Sequence, residues 1–455
     1  MEIRDKSTGN VLREVSENTL SESLRILDAG KVASAELASL SGADLARGLA
    51  SISLSTGNFL DSISRSISVE TGIALKSSRD DVSRAAQEFM AASSLLSASM
   101  ANYTALPTGP FDTSLLSFYR RYPLGTVLIS ASPVEDFSHT AKVIAAAISS
   151  GNSVVCVPPP LAPGPFEELK KIVDSAGLPK NTLQLLFLKN ESKPLKKILK
   201  SEHIGEVVFL GSHSEFKKVM GETTRIRAMI SGKSASPVIV WDDSDLDAAA
   251  ECVAQSAFTS YNGGYAAARK IILREDSYEY FRNRLVELAS RISVGNAVEE
   301  ETDLGPLPDG SYASEVSRHL EEALGKGAFL AYGGDISGNF FSPTVIEYLP
   351  PDSPLLMGYP CIPVVCLEQV SSMDAAIKAA NRFSTHSQAS VFTSDIDLAT
   401  SASEKLDFAE VLINEAPGQY SGLWHRICGQ PEGQNEKIVE LREEFSRTRI
   451  IKLKK

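Results

Sequence analysis

The pattern of apolar positions changes character part-way along the chain. Over residues 19 to 100 apolar residues recur at helical spacing; Val82, Ala85, Phe89, Ala92 and Leu96 form one stripe, and Ser78 with Asp81 ahead of it reads as the capped start of that helix. From Pro123 short unbroken apolar runs alternate with amphipathic stretches: TVLISA (126 to 131), a helix near 138 to 149, SVVCV (153 to 157), a helix near 165 to 175, TLQLLFL (182 to 188), a short helix, EVVFL (206 to 210) and a helix from about 213. Strands that are apolar throughout, rather than at every second position, predict a parallel α/β sheet covered on both faces. SPVIVW (236 to 241) and DLDAAAECVAQSAFTS (245 to 260) extend this pattern. A glycine turn, TSYNGGYAAARKI (259 to 271), then leads into a second predicted α/β unit with the strand KIIL, helices over 277 to 292 and near 313 to 325, and the strand AFLAYGG (328 to 334).

Composition narrows the function classes. At 455 residues, 43% hydrophobic and 22% charged, the chain is long enough for two or three domains with sizeable cores. A formal charge of -12 disfavours a polyanion-binding surface, so no nucleic-acid partner is expected. The most apolar stretch, Val143 to Val157, is broken by Ser149, Ser150, Gly151 and Asn152, and charge begins at the second residue; neither a signal peptide nor a membrane span is expected. Five cysteines, odd in number and without CxxC spacing, predict buried thiols in a reducing cytoplasm and no metal.

No GxGxxG opens a helix in the first unit, so the usual dinucleotide fingerprint is missing. One turn remains a candidate for phosphate. In VVFLGSHSEF (207 to 216), Gly211 and Ser212 fall between a strand and a helix, where glycine permits close approach and serine either caps the helix or contacts phosphate.

The order of segments resembles the aldehyde dehydrogenase superfamily nearly from end to end. GTVLISASP and AKVIAAAISSGNSVVCV are similar to its first two cofactor-domain strands with the "GN" turn, FLGS to its "FTGS" turn, and SPVIVWDDSDLDAAA to its "P-x-I-V-x-x-D-A-D-L-D-x-A" run. GNFFSPTVI (338 to 346), SQASVFTSDIDLATSASEKLDFAEVLIN (387 to 414) and the closing RTRIIKLKK extend the likeness. The resemblance implies a Rossmann-type parallel-sheet cofactor domain (1–102 and 125–249) and a catalytic-type α/β domain (250–430). It also implies a β-hairpin oligomerisation arm (103–124), joined in an oligomer by a C-terminal strand (431–455). NAD(P) would be the cofactor, and the assembly a dimer or tetramer.

It further implies a chemistry whose groups can be sought one by one. In that family a cysteine thiolate attacks the aldehyde, an asparagine amide and a backbone N–H stabilise the oxyanion, hydride passes to NAD(P)+, and a glutamate activates water. Here the nucleophile position falls on Tyr265 if Lys270 is the basic anchor of the next strand, or on Gly264 if Arg269 is. The water-activating glutamate falls on Ser231 counting from Pro237, or on Met229 if Gly232-Lys233 is the match. The oxyanion asparagine falls on Glu135, which donates no amide hydrogen bond and repels an oxyanion. The adenosine-ribose lysine falls on Pro158 within VPPPLAP (157 to 163), and "E-x-F-G-P", whose glutamate binds the nicotinamide ribose in that family, on Leu356-Met357-Gly358-Tyr359-Pro360, leaving Tyr359 as an aromatic face. Cys252, Cys361 and Cys366 are not brought to the turn by helix or strand periodicity.

The sequence therefore predicts a degenerate family member without aldehyde oxidation, kept for binding or assembly, in a homo-oligomer or beside a related chain. Two alternatives stand beside it. One is a divergent NAD(P)-dependent oxidoreductase with Glu135 as base and Lys233 as its charge partner. The other is a nucleotide or small-ligand sensor built on Gly211 and Ser212.

Overall fold

The structure, a computed structural model, describes the chain except residues 99–102, 106–114, 133–135, 189–191, 212–215, 217–226, 232–233, 260–265, 358–361, 384–386, 419–425, 429–436, 440 and 455. Four helices come first: α1 (Leu20–Ser39), α2 (Gly42–Asn58), α3 (Leu60–Thr71) and α4 (Leu75–Ala98). A reciprocal cap opens α1, with Thr19 Oγ1 accepting from Glu22 N at 3.2 Å and the Glu22 carboxylate from Thr19 N at 2.7 Å. The predicted stripe on α4 is real, and Val82, Ala85, Phe89 and Ala92 are fully buried. Its predicted cap is not. The helix already begins at Leu75; Ser78 Oγ lies 3.0 Å from Ser68 Oγ of α3, and Asp81 reaches across to a different helix. A short acceptor side chain binds whichever free N–H groups packing presents, and spacing alone does not say whose.

Beyond the helices lies a five-stranded, all-parallel sheet in the order β5-β4-β3-β6-β7. Its strands are β3 (Thr126–Ala131), β4 (Ser153–Val157), β5 (Leu183–Leu185), β6 (Ile204–Leu210) and β7 (Arg227–Ser231). Val127 and Ile129 pack with α2 to α4 and with the helices α5 (Phe137–Ser149) and α6 (Gly164–Ser175), whereas Leu128 packs with Leu27 of α1 and Phe209 on the other face. Both faces are covered, as the unbroken apolar runs required.

The second sheet has seven strands in the order β10-β11-β12-β9-β8-β13-β14. These are β8 (Ser234–Val240), β9 (Ala266–Arg274), β10 (Phe329–Tyr332), β11 (Thr344–Glu347), β12 (Val364–Val370), β13 (Gln388–Phe392) and β14 (Glu410–Ile413), parallel apart from β10 against β11. Here the expected boundary at 249/250 is corrected. SPVIVW extends not the first sheet but the second, where β8 lies between β9 and β13. A fully buried parallel strand carries no mark of which sheet it joins, so its pattern fits either.

The arm is a third sheet, β15-β2-β1, formed by β1 (Tyr103–Ala105), β2 (Leu115–Pro123) and β15 (Ser446–Lys454). The C-terminal strand does join the arm, but within one chain: it runs antiparallel to β2 from Ser446↔Pro123 to Lys454↔Leu115. The base of this arm is tied to the first sheet by fully buried Asn152, the asparagine of the "GN" turn. Its Oδ1 accepts from Leu124 N (2.7 Å) and Gly125 N (3.0 Å), and its Nδ2 donates to Ala147 O (3.1 Å) and Phe445 O (2.9 Å). Among the described residues no helix is long and apolar enough to cross a membrane.

The helical layer also contacts the loop that follows residue 293. Leu75 N donates to Ala297 O (2.8 Å), Lys76 pairs with Asp303 (2.7 Å), and Arg79 pairs with Glu300 (2.6 Å) and Asp61 (3.1 Å). At the centre of this seam backbone meets backbone. Gly72 holds φ +87, and a Cβ on Gly305 would fall 1.9 Å from the Gly72 carbonyl oxygen.

Candidate functional site

Ser231 is the last residue of β7 in the first sheet, and three residues later Ser234 opens β8 in the second, opposite Ala266, the first residue of β9. The positions matched to general base and nucleophile thus lie, along the chain, just ahead of the two strands that begin the second sheet. Ser231 and Met229 both lie on β7. Tyr265 and Gly264 lie outside the described residues, immediately ahead of Ala266 in sequence, as do Glu135, Ser212, Lys233 and Tyr359. Gly211 is described and buried at the carboxyl end of β6.

The two candidate anchors of β9 are both buried and differ in their partners. Arg269 Nη1 donates to the carbonyls of Ile362 and Val364 (2.9 Å to the latter), while the Lys270 ammonium pairs with Glu368 of β12. Ahead of β9 runs α7 (Leu246–Ala254), which closes in one π-turn, Gln255–Thr259. Ser256 of that turn accepts from Ala268 N at 3.0 Å and donates to Pro417 O, pinning the approach to the nucleophile turn against two other segments.

In the first sheet the strand order reverses between β3 and β6, the place where doubly wound sheets take their ligands. Backbone pairing continues past the strand ends there, with Ser132 N donating to Leu210 O at 2.6 Å. The helix after β3 is α5, and an anion would ordinarily be drawn to its first N–H groups. They are taken. Fully buried Asp81 accepts from Phe137 N at 3.1 Å and Ser138 N at 3.0 Å, and the residue preceding the helix, Asp136, is buried as well. Burial first, and then the charge of Asp136, push the Asp81 carboxyl well above the usual carboxylate range. The start of α6 is likewise filled from within. Glu70 accepts from Gly164 N at 2.8 Å, and Arg13 lies 2.7 Å from Glu167 and 3.5 Å from Glu70. Sequence reading missed Glu70, Asp136 and the true role of Asp81; the adjacent acids Glu135-Asp136 at a helix start were the available signal.

The cofactor positions that are described are apolar. Pro158 and Pro159 follow β4 and are buried, and Leu356, matched to the ribose glutamate, is packed in the second core. Among the described residues no group of histidine, cysteine and acidic side chains is arranged to hold a metal. The described free thiols are all held away from the thiolate form. Burial raises Cys156 in β4; burial pushes Cys366 in β12 up to about 12; burial and then Glu251 and Glu415 raise Cys252 on α7. Cys361 lies outside the described residues.

Comparison with known proteins places this architecture. The model of the aldehyde dehydrogenase family matches residues 1–426. The chain belongs to that family. It is 27% identical over 424 residues to an aspartate-semialdehyde dehydrogenase from Pseudomonas canavaninivorans, covering 91% of this chain and 88% of that protein. It is 25% identical over 384 residues to a 3-sulfolactaldehyde dehydrogenase from Priestia aryabhattai, covering 83% and 80%. Among solved structures, aldehyde dehydrogenase 21 from Physcomitrella patens in complex with the reaction product succinate aligns with a TM-score of 0.93 at 22% identity, over 100% of this chain and 95% of that one. Glyceraldehyde-3-phosphate dehydrogenase from Methanocaldococcus jannaschii complexed with NADP aligns with a TM-score of 0.91 at 22% identity, over 100% and 99%. At that identity the likeness speaks for the fold.

Proposed function

We propose that this chain is an aldehyde dehydrogenase family member that does not oxidise aldehydes and is retained for binding or assembly. The observation that carries the reading is the residue at the nucleophile position: a phenol at Tyr265, or a bare glycine at Gly264, where the chemistry needs an ionisable sulfur. A phenol near its usual pKa is protonated at neutral pH. Elsewhere, removing the nucleophile from a catalytic set costs about a million-fold in rate. Serine at 231 and glutamate at 135 point the same way, and the described thiols offer no substitute.

The assembly half of the reading draws on the arm. In its sheet β15 is an edge strand of nine residues, and β14 is the edge of the seven-stranded sheet. Edges of this kind invite pairing with another chain, in a dimer or tetramer of this protein or in a mixed oligomer with a related one. Free thiols favour a reducing compartment such as the cytoplasm.

Purified protein is to be incubated with a panel of aldehydes and NAD+ or NADP+ while the absorbance of reduced cofactor is followed. No turnover is expected. Steady turnover that disappears in Glu135→Gln would overturn the reading in favour of a working oxidoreductase with Glu135 as base and Lys233 beside it, the alternative that the names of the relatives favour. Calorimetry with NAD+ tests the sensor built on Gly211 and Ser212, and size measurement with co-purification tests assembly. A monomer without partners would remove the assembly role.

A further inference from the structure

The first turn of α4 reaches out of its own unit on two sides. Leu75 N donates to Ala297 O at 2.8 Å, and the Ser77 hydroxyl donates to Thr259 O at 2.7 Å. Thr259 is the last residue of the π-turn after α7, and from it the chain passes to 264 and 265, the positions matched to the nucleophile. The final carbonyls of a helix have no partner within it, and Ser77 supplies one. The Leu75 contact is in turn held from outside. Ala297 is fully buried in a loop that folds back on itself, with Gly295 N donating to Leu304 O (3.1 Å) and Asp303 N to Ser293 O (2.9 Å), as compact Ω-loops do. Its N–H donates to Ser7 Oγ at 3.0 Å. Ser7 lies in the turn of a hairpin, Glu2–Arg4 with Val11–Glu14, and Asp5 stiffens that turn by accepting from Ser7 N (2.8 Å) and Thr8 N (3.2 Å). The hairpin is fixed to the first unit, with Lys6 N donating to Val69 O of α3 at 3.0 Å and Arg13 pairing with Glu167 of α6 at 2.7 Å. Ala297 is therefore gripped by its N–H and by its C=O from two different elements of the first unit.

Two bonds made from one helical turn do not move independently, because the turn is closed by its own backbone bonds. Just ahead of it the Gly72 backbone is pressed against the same loop, where a Cβ on Gly72 would fall 2.6 Å from Pro306 O. A buried peptide group is costly to leave unpaired, so the grip on Ala297 is not readily given up. We propose that Ser7 and Ser77 are positioning residues for the π-turn, joined through Ala297 and Leu75. The hairpin holds the loop, the loop holds the start of α4, and Ser77 there fixes Thr259, the residue from which the chain departs toward the nucleophile positions. This placement goes beyond the proposed function. It holds whether or not 264 and 265 carry chemistry, and its test needs neither cofactor nor aldehyde, so its failure would leave the reading of lost aldehyde oxidation untouched.

The test follows amide exchange of the full chain over 255–259, at Leu75 and at Ala297, with 126–131 as internal control. Ser77→Ala should speed exchange over 255–259 severalfold, and Ser77→Thr, which keeps a hydroxyl, should restore the wild-type rate. The distant variant is the more telling one. Ser7→Ala removes the acceptor of Ala297 N, and should speed exchange at Ala297, at Leu75 and over 255–259 together. Asp5→Ala, which loosens the turn that presents Ser7, should do the same, and it takes the place of Ser7→Ala should that variant not fold. An unchanged rate over 255–259 in Ser77→Ala would overturn the placement of Thr259. Faster exchange at Ala297 alone in Ser7→Ala or Asp5→Ala would overturn the path from the hairpin.

Discussion

Replacing Asn152 with alanine should loosen the arm before anything else. The side chain bonds four backbone groups: Leu124 N and Gly125 N at the foot of the arm, Ala147 O near the end of α5, and Phe445 O just ahead of β15. Each buried group left without a partner costs about 1–3 kcal/mol. If all four were stranded the loss would exceed that of most single substitutions. The space left by an amide, however, admits a water that rebonds two or three of them, which brings the expected cost to about 3 kcal/mol. A chain of this size does not unfold in one step, so the midpoint alone is a poor measure. The sharper assay is hydrogen exchange over 446–454 with 126–131 as internal control. Asn152→Ala should expose the first segment well before the second, because Phe445 leads directly into β15. Asn152→Asp, which keeps the acceptors but sets a charge against two carbonyls, should be worse still. If Asn152→Ala shifts stability by less than about 1 kcal/mol and leaves exchange over 446–454 unchanged, the four bonds do not couple arm to sheet.

Two further outcomes follow from the geometry. Gly305→Ala would set a Cβ 1.9 Å from the Gly72 carbonyl oxygen, backbone against backbone, so no side chain can swing aside; a loss of about 2 kcal/mol or more is expected, with calorimetry separating the melting of the two α/β units. Glu70→Ala strips the acceptor from Gly164 N at the start of α6 and should cost about 1–2 kcal/mol in urea titration, whereas Glu70→Gln, which keeps an acceptor oxygen, should cost less.

The regular elements were legible because their periods are strong. The helix expected over 138–149 is α5, Phe137–Ser149, and that near 165–175 is α6, Gly164–Ser175. TLQLLFL, read as a strand of seven residues, pairs over Leu183–Leu185 alone, since how far a ladder extends depends on its neighbour. The partners of individual polar residues were not legible. Ser78 and Asp81 have capping-box spacing, yet Asp81 serves α5, 56 residues away. Asn152 could be placed in its turn from the "GN" motif, but not its bond to Phe445, 293 residues on. The candidate site is a matter of residue identity at matched positions, which the sequence states outright; the carboxylates that fill the starts of α5 and α6 are a tertiary fact.

The two-residue passage from Ser231 to Ser234 bears on how the protein can be dissected. A fragment ending at 249 would carry off a strand that belongs between β9 and β13, leaving a slot in the larger sheet and a sticky apolar ribbon on the smaller one. Cutting at 231 instead leaves the five- and seven-stranded sheets with their own strands and parts only β15 from the arm, so separate expression of the halves turns first on those eighteen residues.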